Sequence, residues 1–580
     1  MNRNTNMHFG HVPQIHTKRS KFDESHSIKT TFNAGDIIPI MVDADILPGA
    51  TITMDMAELV RMATPIYPIM DNLYLDLYWF FTPNRLLWTN HSKFWGENDD
   101  PWTQNGNYEI PQITAPSGGW TEGTIADYMG IPTKVENISI NALPFRAYAK
   151  IYNDWFRDEN LQSCCHLYTD DTTRTGSNGN TRVTDCELGG MPAKAAKFHD
   201  YFTAALPQPQ KSDPVGIPLT GQLEVFAGDT NHLTIGDEAN WIKYGTVGIT
   251  SKKIEIPAVG TWNGIGAPVY TKDGNYLVPH QYNGIAGNGQ TSTGLQNGGH
   301  YEKQNITPVN LYADMSSATA VTINQLRTAF AIQKYYENAG LHGTRYIEYL
   351  RGVFGVTSSD ARMQRAEYLG GQRVPLNIDQ IIQTSSTDNT SPQGNTSGFS
   401  CTINKASMFT KSFEEHGVLM CLAVVRVDHS YQQGLHKMWT RKKWTDYYNP
   451  FFANLGEQAI LNENIYAQGS TVVDTDGNVV DKQAFGYQEA WAEYRYKENR
   501  VTGYMRSNAT GSLDVWHFAD DYSQLPKLGS TWIEEPYANV DRTIAVTSQL
   551  THQFIADFYF KCSYTLPMPI YSVPGLIDHV

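Results

Sequence analysis

The stretch Met70–Phe81, MDNLYLDLYWFF, decides the fold. In an extended chain Leu73, Leu75, Leu77, Trp79 and Phe81 fall on one face, and Tyr74, Asp76, Tyr78 and Phe80 on the other. The alternation predicts a strand whose apolar face covers a core. Its second face is aromatic rather than charged, which suits partner contact more than catalysis.

Similar patterns recur far along the chain. Val418–Val425 is apolar on both faces, which predicts that the strand Gly417–Val427 is buried on both sides. Within Gln549–Tyr564, Phe554, Ala556, Phe558, Phe560 and Cys562 share one face, and Asp557, Tyr559 and Lys561 share the other. Between Phe32 and Met56, apolar pairs broken by Pro39, Pro48 and Gly49 predict two short strands around a turn. Strands near both ends imply sheets that join N- to C-terminal sequence, as in a Greek-key sandwich. After Phe81, Pro83 and Asn84 break the pattern, and Arg85–Trp95 has room for one or two helical turns. A helix is predicted over 322–339: Thr322 and Gln325 form a capping-box pattern, Ile323, Leu326, Ala329 and Phe330 a stripe for packing, and Gly340 a stop. Asp474–Asn478, flanked by valines, predicts a hairpin turn near Asp476 and Gly477.

The 580 residues exceed what one small core needs, so either several domains or one domain with large insertions is expected. Composition favours insertions. Aromatics reach 12% while charged residues are only 18%, below the usual quarter or so, a mild sign of self-association. Residues 208–310 hold 16 of the 47 glycines and little continuous apolar pattern, so this segment reads as a surface excursion, with short strands such as Ile249–Ile256 inside it. The six cysteines form no C-x-x-C pair, which predicts free thiols in a reducing compartment. No apolar secretory leader and no run long enough to span a membrane is found, so folding in a cytoplasm without membrane insertion is expected.

Motifs for phosphate-binding loops, nucleophile elbows and zinc-binding helices are absent, and no catalytic residue, cofactor or metal is expected. His8, His11 and His16 lie close together but lack neighbouring carboxylates or cysteines. The adjacent pairs Asp99–Asp100 and Glu534–Glu535 point apart in extended chain and read as solvated or interface charges. Net charge is −15, so any phosphate contact must come from a local basic face. One such face is HKMWTRKKW at His436–Trp444, where Lys437, Arg441, Lys442 and Lys443 interleave with Trp439 and Trp444; another is YRYKENR at Tyr494–Arg500. Cations beside aromatic rings can follow a single-stranded backbone while bases stack, and they serve equally for interchain salt bridges and cation–π contacts. Lys18, Arg19 and Lys21 form a third basic cluster, in an N-terminal arm taken as residues 1–30. A β-rich carbohydrate-binding or carbohydrate-active protein is the alternative class, weakened by the absence of a convincing carboxylate pair.

Several blocks resemble one family: FDESHSIKTTFNAGDIIPI from Phe22, MDNLYLDLYWFFTPNRLLW with FWGE at Phe94, HDYFTAALPQPQK from His199, FGVTSSDARMQRAEYLGG from Phe354, AWAEYRYKENRVTGYMRS from Ala490 and PMPIYSVPGLIDHV from Pro567. They are similar to the major capsid proteins of gokushovirus-like Microviridae, small single-stranded DNA bacteriophages. Gln208 departs from the pattern, standing where an aromatic is expected. The resemblance implies a mainly β chain, with a single eight-stranded antiparallel jelly-roll β-sandwich over 31–580, long loop insertions and few helices. It implies a T=1 icosahedral homo-oligomer around a circular single-stranded DNA genome, with 208–310 as a variable protrusion at the threefold axes used in host attachment. The partners it implies are the genome, a small basic DNA-packaging protein, scaffolding and pilot proteins and a bacterial host receptor. The place it implies is the virion, assembled in the bacterial cytoplasm.

Overall fold

The structure, a computed structural model, describes residues 18–97, 108–213, 364–378 and 401–571, with isolated elements between 225 and 399. His8, His11, His16, Asp99 and Asp100 lie outside the described residues, as does most of 208–310.

The strands that organise the chain are β1 (Ser20–Asp23), β2 (His26–Phe32), β3 (Ile38–Ile46), β4 (Thr51–Met62), β5 (Leu73–Pro83), β6 (Glu367–Pro375), β7 (Thr402–Ser412), β8 (Gly417–Val427), β9 (Glu457–Leu461), β10 (Ala484–Glu489) and β11 (Phe554–Leu566). Two antiparallel sheets form a sandwich. One runs β2–β11–β4–β7, with β1 also paired to β11; the other runs β6–β5–β8–β3. The chain is thus mainly β, as expected. From Ser20 onward the expected arm is sheet, and the strands expected to be short between Phe32 and Met56 have nine and twelve residues.

The strand that opened the reading sits inside the second sheet. Leu73, Leu75, Leu77, Trp79 and Phe81 join Leu419, Cys421 and Val425 against Ile52, Met54, Phe558 and Phe560 of the first sheet. The Trp79 ring meets Phe560 edge-on at 5.9 Å. The other face is covered by the same chain, not left bare: Phe80 packs on Trp155, Phe156 and Tyr368, and Tyr78 meets Phe156 at 5.3 Å. Helix α1 (Leu143–Ile151), started by Pro144, seals this side, with Phe145, Tyr148 and Ile151 on Val418, Met420 and Leu422 of β8. Both faces of β8 are therefore buried, as its sequence predicts.

Asp76 interrupts the aromatic face at 2% exposure. Arg373 of β6 donates to it at 2.7 Å and Arg426 of β8 donates through two nitrogens, while both guanidiniums lie 4.2 Å from the Phe198 ring. A second ionic cluster is fully buried. His429 bridges Asp520 and Glu535 at 3.0 Å each, and Asp520 also takes Lys197 at 3.2 Å and Asn539 at 2.6 Å. Burial alone would depress the His429 pKa, but the Glu535 and Asp520 carboxylates outweigh it and hold it at about 10, so the ring is charged. Glu535 is thus a buried tie, not the solvated or interface charge expected, and Glu534 accepts from Gln162 at 3.1 Å.

The chain divides into two compact units, Met1–Asp213 with Tyr335–Val580, and Pro214–Lys334. In the second, His232–Ile235, Ile254–Pro257, Val269–Thr271 and Tyr276–Leu277 form an antiparallel sheet, and Val225–Ala227 pairs with Leu311–Ala313. Helix α2 (Ile323–His342) runs through Gly340 rather than stopping there, and Phe330, expected to pack, is 64% exposed. The Asp474 turn forms as expected, with the Gly477 N–H donating to the Asp474 carbonyl and Val473 bridged to Val479.

The two kinds of ion pair predict different costs. Asp76→Ala strips the counter-charge from two crowded guanidiniums and should lower the unfolding free energy of the subunit by about 3–5 kcal/mol. Lys29→Ala, which breaks the exposed pair with Asp557, should cost under about 1 kcal/mol in the same urea titration.

Candidate interface surface

Beyond β8 the chain forms three successive tight turns, each fixed by a polar side chain. The His436 ring accepts from the Met438 N–H at 3.0 Å, the Asp446 carboxylate from the Lys442 and Lys443 N–H groups at 2.8 Å each, and Asn449 from the Phe451 N–H at 3.1 Å. The turns push their large side chains outward. Trp439 is 68% exposed, Trp444 71% and Phe451 94%. Tyr447, Tyr448, Tyr494, Tyr496 and Tyr504 are also exposed, and exposed aromatic clusters of this kind mark contact surfaces.

This surface has a rigid underside. Trp491 adopts a left-handed backbone at φ +68°, a conformation that bulky residues rarely take, and its indole donates to the Phe452 carbonyl at 2.8 Å. Beside it the Glu493 carboxylate is buried. Arg441 donates to Glu493 at 2.8 Å while lying 4.4 Å from the Tyr494 ring, and the Lys437 ammonium is 3.8 Å away. Burial lowers the Lys437 pKa and Glu493 opposes the shift.

The nine basic and aromatic residues singled out from sequence therefore separate by role. Lys437 and Arg441 are committed to Glu493, whereas Trp439, Lys442, Lys443 and Trp444 present exposed side chains. Lys18 is exposed, but Arg19 and Lys21 are not on a free arm: Arg19 donates to the Gly49 carbonyl and to Thr51 Oγ1, and Lys21 pairs with Thr565 in the sheet. Sequence reading missed Glu493, whose signal was one acid inside the apolar run AWAEY. Among the described residues no group of three or more His, Cys, Asp or Glu is placed to hold a metal ion, and all six cysteines are free.

Comparison with known proteins assigns a class to this sandwich. The capsid protein (F protein) family matches residues 10–576. Capsid protein VP1 of Spiroplasma virus 4 is 43% identical over 573 residues, covering 97% of this chain and 96% of the relative. Capsid protein VP1 of Chlamydia phage 1 is 39% identical over 590 residues (98% and 97%), and that of Bdellovibrio phage phiMH2K 41% over 574 (98% and 97%). The fold, the contact surface and these full-length likenesses define a structural protein of a bacteriophage shell, not an enzyme. The chain belongs to the capsid protein (F protein) family. It is a virion component that self-assembles, and no helix among the described residues is long and apolar enough to cross a membrane.

Where the exposed loop returns to the hairpin, Glu457 of β9 lies directly opposite Glu489 of β10. Burial, then Glu489 and Glu337, raise the Glu457 pKa from 4.5 to about 7. The folded chain thus holds this proton more tightly than the unfolded chain does. Its stabilising contribution is full below about 4.5 and is lost as pH rises to about 7. Glu457→Gln should flatten that part of the melting temperature profile of the subunit, measured between pH 4 and 8.

Proposed function

We propose that the chain builds a T=1 icosahedral shell around a circular single-stranded DNA genome. Family membership carries this reading, and the exposed aromatic and cationic surface supports it. The strand orders β2–β11–β4–β7 and β6–β5–β8–β3, four strands in each sheet, support reading the sandwich as an eight-stranded jelly roll that begins with β2 at His26, a few residues before the expected span 31–580. The separate unit Pro214–Lys334 supports a role for 208–310, with the helix over 322–339, as a protrusion for attachment to a bacterial receptor. Assembly takes place in the host cytoplasm with scaffolding and pilot proteins, and a small basic packaging protein enters with the DNA. The carbohydrate-active alternative gives way to the structural role of the family.

Within this reading, Trp439, Lys442, Lys443 and Trp444 contact the genome, assisted by Lys18. Lys437 and Arg441 hold the segment in place through Glu493, and Arg19 and Lys21 act from the sheet. Particles formed by the chain with its partners should appear closed and isometric in the electron microscope, and persistently monomeric material would remove the shell reading. Joint Lys442→Ala and Lys443→Ala replacement should lower packaged DNA more than shell yield. The salt slope for single-strand binding by the subunit should shrink by about 1.4, roughly 0.7 per lost phosphate contact. Equal loss of shell and DNA would assign both lysines to subunit contact.

A further inference from the structure

A cleft of about 550 Å³ opens at the end of the sandwich where β3 turns into β4 and β7 into β8. Part of its wall is apolar and aromatic, with Trp88, Phe94, Trp95 and Leu143 among the lining residues. Trp95 stacks flat on His416 at 4.2 Å and is still 59% exposed. Glu24, Asp43 and Asp45 also line the cleft, and no lysine or arginine does among the described residues. Burial lowers the pKa of both histidines of the cleft, His91 and His416, and His416 lowers that of His91 further while Glu415 opposes the shift.

At the opposite end of β8 the chain enters the segment that carries Phe451. The eleven residues of β8 span about 36 Å of extended chain, from His416 beside the cleft to the strand end that feeds the aromatic surface. Trp491, Tyr494 and Trp444, which brace the Phe451 turn, do not line the cleft. The turn is stiffened by Pro450 and the Asn449 cap, so the 94% exposed ring stands ready with little ordering left to lose. Exposed Lys442 and Lys443 on the preceding turn, and Lys497 beyond Tyr494, give this segment its cationic character, while Arg495 is taken up by Glu489.

We propose that Phe451 of one copy of this chain seats in the Trp95 cleft of the next copy, joining subunits head to tail. Among the described residues ring and cleft are both aromatic surfaces left open, their flanking charges are opposite, and the segments that carry them leave from opposite ends of β8. A copy therefore fills its neighbour's cleft rather than its own. A head-to-tail contact between unlike surfaces closes into a ring when its rotation divides a full turn, which is what an axis of a closed shell requires. The inference rests on the shell reading above.

Phe451→Ala alters a ring exposed on the single chain, so the subunit should keep its melting temperature while particle yield falls about tenfold or more, as for an aromatic anchor at the centre of an interface. Trp95→Ala should lower the yield comparably. With Phe451→Cys and Leu47→Cys together, Leu47 being a residue that lines the cleft, mild oxidation should give a ladder of linked copies in particles, and Phe451→Cys alone should not. Full particle yield from Phe451→Ala with no ladder would overturn the contact, as would full yield with reduced DNA, which would make the tip a nucleic-acid contact. Failure of the unaltered chain to form particles would count against the shell reading instead, and the ladder in concentrated subunits would still decide the contact.

Discussion

Everything in the main unit depends on one requirement: the sheet β6–β5–β8–β3 is apolar on both faces and must be covered on both. The first sheet covers one side, with Phe558 and Phe560 against Leu75 and Trp79. Nothing within the sandwich can cover Phe80, Val418, Met420 and Leu422, so the long excursion after β5 supplies α1 and the Trp155–Phe156 corner. Burying each such side chain contributes about 1.5–3 kcal/mol, enough to order the loops that do it. The part of the insertion after β5 that runs through Ala195 is thus a third layer of core.

Charge follows the same logic of enclosure. Where the aromatic layer had to admit a carboxylate, at Asp76, two arginines and the Phe198 ring surround it. Where basic and aromatic residues reach the outer surface, a buried Glu493 takes up two of the cations and leaves the tryptophans and the remaining lysines outward. A basic run in sequence is therefore a mixture of struts and contacts, and only burial separates them.

Legibility followed side-chain pattern. β5, β8 and β11 were readable because their apolar residues recur every second position or fill every position. β3 and β4 look shorter in sequence than they are, because Asp43, Asp45, Asp55 and Glu58 punctuate them and interrupt the apolar count. β6 and β7 escaped: a bulge at Leu369 with Gly370 at φ +150° breaks the period in one, and Lys405, Ser407 and Lys411 dilute it in the other. Gly371 is there because a Cβ would lie 2.3 Å from the Leu77 carbonyl oxygen. The basic–aromatic segment was visible as chemistry, yet its division by Glu493 was not, and neither was the tie of His429 to Asp520 and Glu535, whose members lie 91 and 106 positions from it.

The position of β11 sets a timetable for synthesis. It lies between β2 and β4, pairing His26–Phe32 on one edge and all of Thr51–Met62 on the other, although it ends only at Leu566. Until β11 has been synthesised, β2 lacks the strand partner it has among the described residues and β4 has one edge open. Contacts of such long sequence separation form slowly, and unpaired edges invite neighbouring nascent chains to pair in place of β11. Emergence of β11, rather than of the first strands, is the event that lets this sheet close.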